Sequence, residues 1–252
     1  MYFAVIRLKY AIFICIMIFV CLIGFGIAGK TIPTFKVSDK EIPIYSVKRD
    51  DNKVALTFDC AWGYEDMPYI LDTLDKYNAK ATFFVLGDWV NNNPDVLSEI
   101  YQRGHEIGTH SMSHTDYTTL SSDEIMADII KCEDTVSNVI DDRPILVRAP
   151  SGAYNNNVIK TCEDNGRIYI QWSVDGLDYP DTATEESIYS RVTQSTKSGD
   201  IILLHNGTKY TSRILPKILD TLTRNYEFVK VSDLIYKDNF KIDVQGRQIQ
   251  TK

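Results

Sequence analysis

The stretch Val54-Ala55-Leu56-Thr57-Phe58-Asp59 decides the fold. It is a β-rich run that ends on a carboxylate. Residues 67–77 follow with apolar Ile70, Leu71 and Leu74 at helical spacing, and then comes the second apolar run, Ala81-Thr82-Phe83-Phe84-Val85-Leu86. Strand, helix and strand, with both strands predominantly apolar, predict a parallel pair buried on its two faces.

The alternation continues outward. Residues 94–102 have helical spacing, and Glu106-Ile107 reads as a strand end. The clearest helix is 121–140, where Ser121 and Glu124 form a capping box and Ile125, Ile129, Cys132, Val136 and Ile140 make one stripe. Further strands are predicted at 145–147, 168–171, 201–204 and 228–229, with helices near 156–165, 185–196 and 212–224, and Pro216 is placed in the first turn of the last helix. Seven strands alternating with helices predict an α/β fold, a parallel barrel wrapped by helices.

In such barrels the chemistry sits at the C-terminal strand ends. Those ends carry Asp59, His110 with His114, Arg148, Asp175 and His205. His110 and His114, in the spacing H-x-x-x-H, can converge on one point, and neutral imidazole is a common ligand of zinc. Asp59 is a candidate general base, or else a helix cap. Arg148 offers a fixed cation to keep a carboxylate ionised. His205 is a candidate proton donor with Asp175 holding its other nitrogen, or else a buried structural histidine. His105 precedes its strand and is assigned no role.

The chain has 252 residues, 44% hydrophobic and 24% charged, so it folds as a globular protein. Its net charge of −7 and the lack of a basic cluster after residue 30 argue against nucleic acid as a partner, but say nothing against a neutral glycan. Cys15 and Cys21 lie in the N-terminal apolar run, leaving Cys60, Cys132 and Cys162 without a disulfide framework. Arg7 and Lys9 precede residues 10–28, which carry no charge. That length matches a membrane-crossing helix, so 1–30 is expected to be a signal anchor with the domain outside the cell membrane; cleavage near Ala28, giving a secreted protein, is the alternative. Residues 31–51 are expected as a spacer with one edge strand, 52–238 as the domain and 239–252 as a tail. A monomer is expected.

Five ordered motifs carry a resemblance: Thr57-Phe58-Asp59, His110-Ser111-x-x-His114, Arg148-x-Pro150-x-Gly152, the segment 172–178, and Leu204-His205. With these the chain resembles polysaccharide deacetylases of the NodB-homology type, carbohydrate esterase family four. The resemblance implies a distorted (β/α)7 barrel and metal-dependent removal of N-acetyl groups from a cell-wall glycan, with peptidoglycan the expected substrate. It makes Asp59 the base and His110 and His114 ligands of a divalent ion (zinc or another transition metal). It has Arg148 tether Asp59, Asp175 orient His205, and His205 protonate the amine. The backbone near Ser151 would stabilise the oxyanion, and Trp62, Trp172 and Tyr179 would line the substrate groove. The sequence departs from the family at Cys60, where most members have a second aspartate as metal ligand. A thiolate could replace it, but cysteine is also a common small buried residue. Glu65 and Asp66 stand nearby as substitutes. Tyr179 stands where a tryptophan is common. The alternative reading is a glycan-binding pseudoenzyme that keeps the groove but lacks a competent metal site.

Overall fold

The computed structural model describes residues 40–251. The expected N-terminal anchor lies outside these residues, and among the described residues no helix is long and apolar enough to cross a membrane.

All seven expected strands form. In chain order the central strands are β2 (Lys53–Cys60), β3 (Ala81–Val85), β4 (Glu106–Thr109), β5 (Leu146–Val147), β6 (Ile168–Tyr169), β7 (Val174–Asp175), β8 (Ile201–His205) and β9 (Glu227–Phe228), preceded by β1 (Ser46–Val47). The order across the sheet is β6-β5-β4-β3-β2-β8-β7, with β9 beside the start of β2, and every pairing is parallel. β7 was not expected, because two residues carry no readable alternation. The helices are α1 (Met67–Lys76), α2 (Gly87–Asn92), α3 (Pro94–Gln102), α4 (Ser122–Ile140), α5 (Asn156–Asp164), α6 (Glu185–Ser195), α7 (Thr211–Leu222) and α8 (Val231–Leu234). The capping box of α4 forms as expected. Pro216 does not: α7 begins at Thr211 and carries the proline inside, held by the buried Ile214, Leu215, Ile218 and Leu219.

Side-chain parity divides the sheet. Leu56, Phe58, Phe83, Val85, Ile202 and Leu204 face the helices in the largest apolar cluster. Thr57, Asp59, Phe84, Arg148 and His205 lie on the other face, because successive residues of a strand point to opposite sides. A flat sheet would hold β5 and β2 about 14 Å apart, three strand spacings, with parallel side chains that never meet. Instead the Arg148 guanidinium, just past β5, donates to both Thr57 Oγ1 (2.9 Å) and Asp59 Oδ1 (2.7 Å) on β2. The sheet must therefore curl into an incomplete barrel. No ladder joins β6 to β7 among the described residues. Gly108 makes the curl possible: a Cβ there would lie 2.6 Å from the Phe84 ring, over which the Arg148 guanidinium stacks at 4.0 Å.

The ends of the domain depart from expectation. Residues 239–252 are not a free tail: β10 (Phe240–Ile242) and β11 (Arg247–Gln250) form an antiparallel pair, and β11 pairs with β1. The edge strand of the spacer thus joins this second, three-stranded sheet. The segment also touches the barrel: Ile44 bridges to Ile170 and Ser46 to Asp200, and the Val47 N–H donates to the Gly199 carbonyl at 2.8 Å.

Candidate active site

A cavity of about 290 Å³ opens at the C-terminal strand ends, lined among others by Asp59, Trp62, His110, His114, Trp172 and His205. Ser151, Asp175 and Tyr179 complete the expected residues that reach it.

Asp59 and His205 occupy paired positions on β2 and β8. Burial opposes charge on the Asp59 carboxyl, but the charge of the Arg148 guanidinium, with that of His205, overcomes it and holds Asp59 below the usual carboxylate range. Burial likewise opposes charge on the His205 ring, and the carboxylate at its Nδ1 reverses the balance, holding His205 above the usual imidazole value. That carboxylate is a correction to the sequence reading. Asp178, not Asp175, accepts from His205 Nδ1 at 2.7 Å and from the His205 backbone N–H at 2.8 Å, and also from the Thr211 hydroxyl. Asp175 instead accepts from the Leu177 N–H (2.7 Å) and the Trp172 indole (3.2 Å). Trp62 and Tyr179 flank the His205 ring, at centroid distances of 5.6 and 5.3 Å.

His110 is buried, and its Nδ1 lies 2.9 Å from the Arg148 carbonyl. A carbonyl only accepts, so Nδ1 carries the proton and Nε2 presents a lone pair to the site. Burial pushes the His110 ring below its usual value, which favours its neutral form. Nε2 is 3.6 Å from Asp59 Oδ2, too long for a hydrogen bond. The exposed His114 ring lies 5.5 Å from that of His110. Two imidazoles beside a carboxylate suit a divalent transition ion, and His110 and His114 fit it as ligands. Cys60 does not join them. By strand parity its side chain enters the helix-facing cluster, where burial pushes the thiol far above its usual value. Asp66 accepts from the Gly207 N–H with both oxygens at 3.0 Å, and Glu65 from the Tyr64 N–H at 2.9 Å. Among the described residues no group of three or more His, Cys, Asp or Glu side chains is placed to hold an ion.

The remaining expectations sort by place. The turn at Ser151 bends at φ 56°, and a Cβ on the next residue, Gly152, would lie 2.7 Å from the Trp172 ring. His105 sits at the far end of β4, its Nδ1 accepting from the Ala81 N–H, and burial lowers it to about 4. Sequence reasoning missed Asn206, whose amide donates to the Trp62 and Gly63 carbonyls and fixes the Trp62 loop beside His205. Its position directly after His205 was the available signal.

Comparison with known proteins agrees with this geometry. The family model for polysaccharide deacetylase matches residues 46–170. A peptidoglycan-N-acetylglucosamine deacetylase of Bacillus cereus is 35% identical over 197 residues, covering 76% of this chain and 92% of that protein. The deacetylase PgdA of Listeria monocytogenes is 33% identical over 220 residues, 87% of this chain but only 46% of that protein. Among solved structures, a pseudoenzyme of carbohydrate esterase family four from Bacillus anthracis superposes with a TM-score of 0.72 at 32% identity, covering 76% of this chain and 68% of that one. A mutant of that pseudoenzyme, described as having restored enzymatic activity, superposes equally well. The chain belongs to the polysaccharide deacetylase family, hydrolases that cleave the amide bond of acetylated sugars.

Proposed function

We propose that this protein removes N-acetyl groups from peptidoglycan, on its N-acetylglucosamine or N-acetylmuramic acid residues, and that it does so with a divalent metal ion from the outer face of the cell membrane, where residues 1–30 anchor it as a monomer. One observation carries the reading: two neighbouring side chains are pushed apart in proton affinity. Arg148 at 2.7 Å holds Asp59 below the usual carboxylate range and Asp178 at 2.7 Å holds His205 above the usual imidazole value, each against its burial, so the two facing groups divide as base and acid.

The amide is cleaved as follows. Asp59 takes a proton from the attacking water while that oxygen bonds to the acetyl carbon. His205 then gives its proton to the sugar nitrogen as the C–N bond breaks, leaving acetate and a free amine. Arg148 keeps Asp59 ionised and aimed through the 2.7 Å bond, and Asp178 keeps the His205 proton on the far nitrogen available by stabilising the charged ring. His110 and His114 would hold the ion, which supplies Lewis-acid polarisation of the acetyl carbonyl. Trp62, Tyr179 and Trp172 would wall the acetyl group and sugar face, and the backbone of Ser151, which lines the cavity, would serve the developing oxyanion.

A second reading is supported by Cys60. With its thiol turned to the helices, the site has two imidazoles and the proposed base, and no further ligand joins them among the described residues. A glycan-binding protein without turnover would follow. Acetate release from N-acetylated peptidoglycan, measured with Zn²⁺ or Co²⁺ added and then removed by chelation, separates the two. Metal-dependent release supports the enzyme, and glycan binding without release supports the alternative.

A further inference from the structure

The segment between the two candidate ligands is held in an unusual shape. Ser111 and His114 both adopt left-handed backbone, at φ 75° and 63°, where residues other than glycine are uncommon and strained. Such a conformation persists only where the surroundings over-determine it. The α2 end of the barrel takes two of the segment's carbonyls: Gly87 N–H donates to Ser111 O (3.1 Å) and Asp88 N–H to Met112 O (2.9 Å). The Ser111 hydroxyl oxygen accepts the N–H groups of Ser113 (3.3 Å) and Thr115 (3.1 Å), closing the loop around His114.

The remaining restraint comes from α4. Asp128 Oδ1 accepts the Met112 N–H at 3.0 Å and the Tyr117 hydroxyl at 2.6 Å. Tyr117 is fully buried, and its hydroxyl also meets that of Ser111. Asp128, Tyr117 and Ser111 thus form one chain of hydrogen bonds from a long, well-capped helix to both ends of the H-x-x-x-H segment. We infer that Asp128 is a positioning residue for the metal pair, acting through Met112 and Tyr117 to fix His110 and His114 in a common orientation. The inference rests on the reading of these imidazoles as metal ligands. With two imidazoles as the candidate ligands among the described residues, their pre-organisation carries more of the affinity than it would in a site with further ligands.

The test is Co²⁺ titration of the full chain, followed by the visible absorption of the bound ion and by affinity. Asp128→Ala is expected to weaken binding by about 10- to 100-fold, the usual loss on removing a support behind a ligand, and to alter the absorption band. Asp128→Asn keeps an oxygen that accepts both hydrogen bonds and is expected to retain most of the affinity. Tyr117→Phe, which removes one hydroxyl, gives a second reading should the alanine variant fail to fold. Wild-type affinity in both Asp128→Ala and Tyr117→Phe, or a loss in Asp128→Asn equal to that in Asp128→Ala, overturns the inference. A wild-type chain that takes up no Co²⁺ refutes the two-imidazole reading itself and removes the inference with it.

Discussion

Replacing Asp178 by Asn tests the acid half of the site. In the wild type Oδ2 accepts two hydrogens, from the His205 backbone N–H and the Thr211 hydroxyl, while Oδ1 faces His205 Nδ1. An asparagine satisfies the two donors only by turning its carbonyl oxygen to them, which leaves its NH₂ against Nδ1. That group can only donate, so it binds the neutral ring and repels the protonated one. A hydrogen bond to a charged group contributes about 1.5–3 kcal/mol, and 1.36 kcal/mol is one pKa unit, so the His205 value should fall by roughly 1–2 units. His205 acts as an acid, so activity is present below its folded value and is lost as pH rises through it. The alkaline limb of the pH profile for acetate release should move down by the same 1–2 units, with the acid limb, set by Asp59, unmoved. Asp175→Asn should move the alkaline limb much less, because Asp175 makes no hydrogen bond to the ring and its charge acts on His205 more weakly than those of Asp178 and Asp59. The reasoning is refuted if Asp175→Asn shifts that limb and Asp178→Asn does not.

Three further outcomes follow from the packing. Arg148→Met strips the fully buried partner from Asp59, and breaking such a pair costs about 3–5 kcal/mol, which thermal unfolding should register as a large fall in Tm. Cys60, its thiol buried and pushed up, should resist alkylation in the folded protein and react only on unfolding; rapid modification of the native protein would place it in the open site instead. Gly199 sits at φ +87° with the Val47 carbonyl 1.7 Å from where a Cβ would be, so Gly199→Ala should cost at least about 1–3 kcal/mol and shift β1 away from the barrel. An unchanged Tm in that variant would show that β1 is not docked there.

The barrel was largely legible because its central strands are long and apolar on both faces. The alternation from Val54 onward marks β2, and the carboxylate at its tip marks the site. What failed was local backbone. Asp175 and Asp178 are both acids in one short loop, and nothing in their spacing says which reaches His205. The structure decides it through a turn: Asp175 Oδ1 takes the Leu177 N–H, Leu177 goes left-handed at φ 47°, and Asp178 is swung beneath the ring. Asp175 therefore builds the turn that delivers the acid. Cys60 was left open between ligand and buried residue for a related reason. Had β2 been known to run through residue 60, parity with Asp59 would have turned the thiol outward, but the last residue of a strand is not written in its composition. The β10–β11 pair was missed because exposed polar strands with little alternation look like a tail.

The central claim, that Asp59 is the base of an N-deacetylase, is tested most directly by acetate release from N-acetylated peptidoglycan by Asp59→Asn and wild type, with glycan binding measured on both. Loss of a positioned general base predicts a fall of about 10²- to 10⁴-fold in turnover with binding of the glycan retained. Equal turnover in the two proteins would contradict the account.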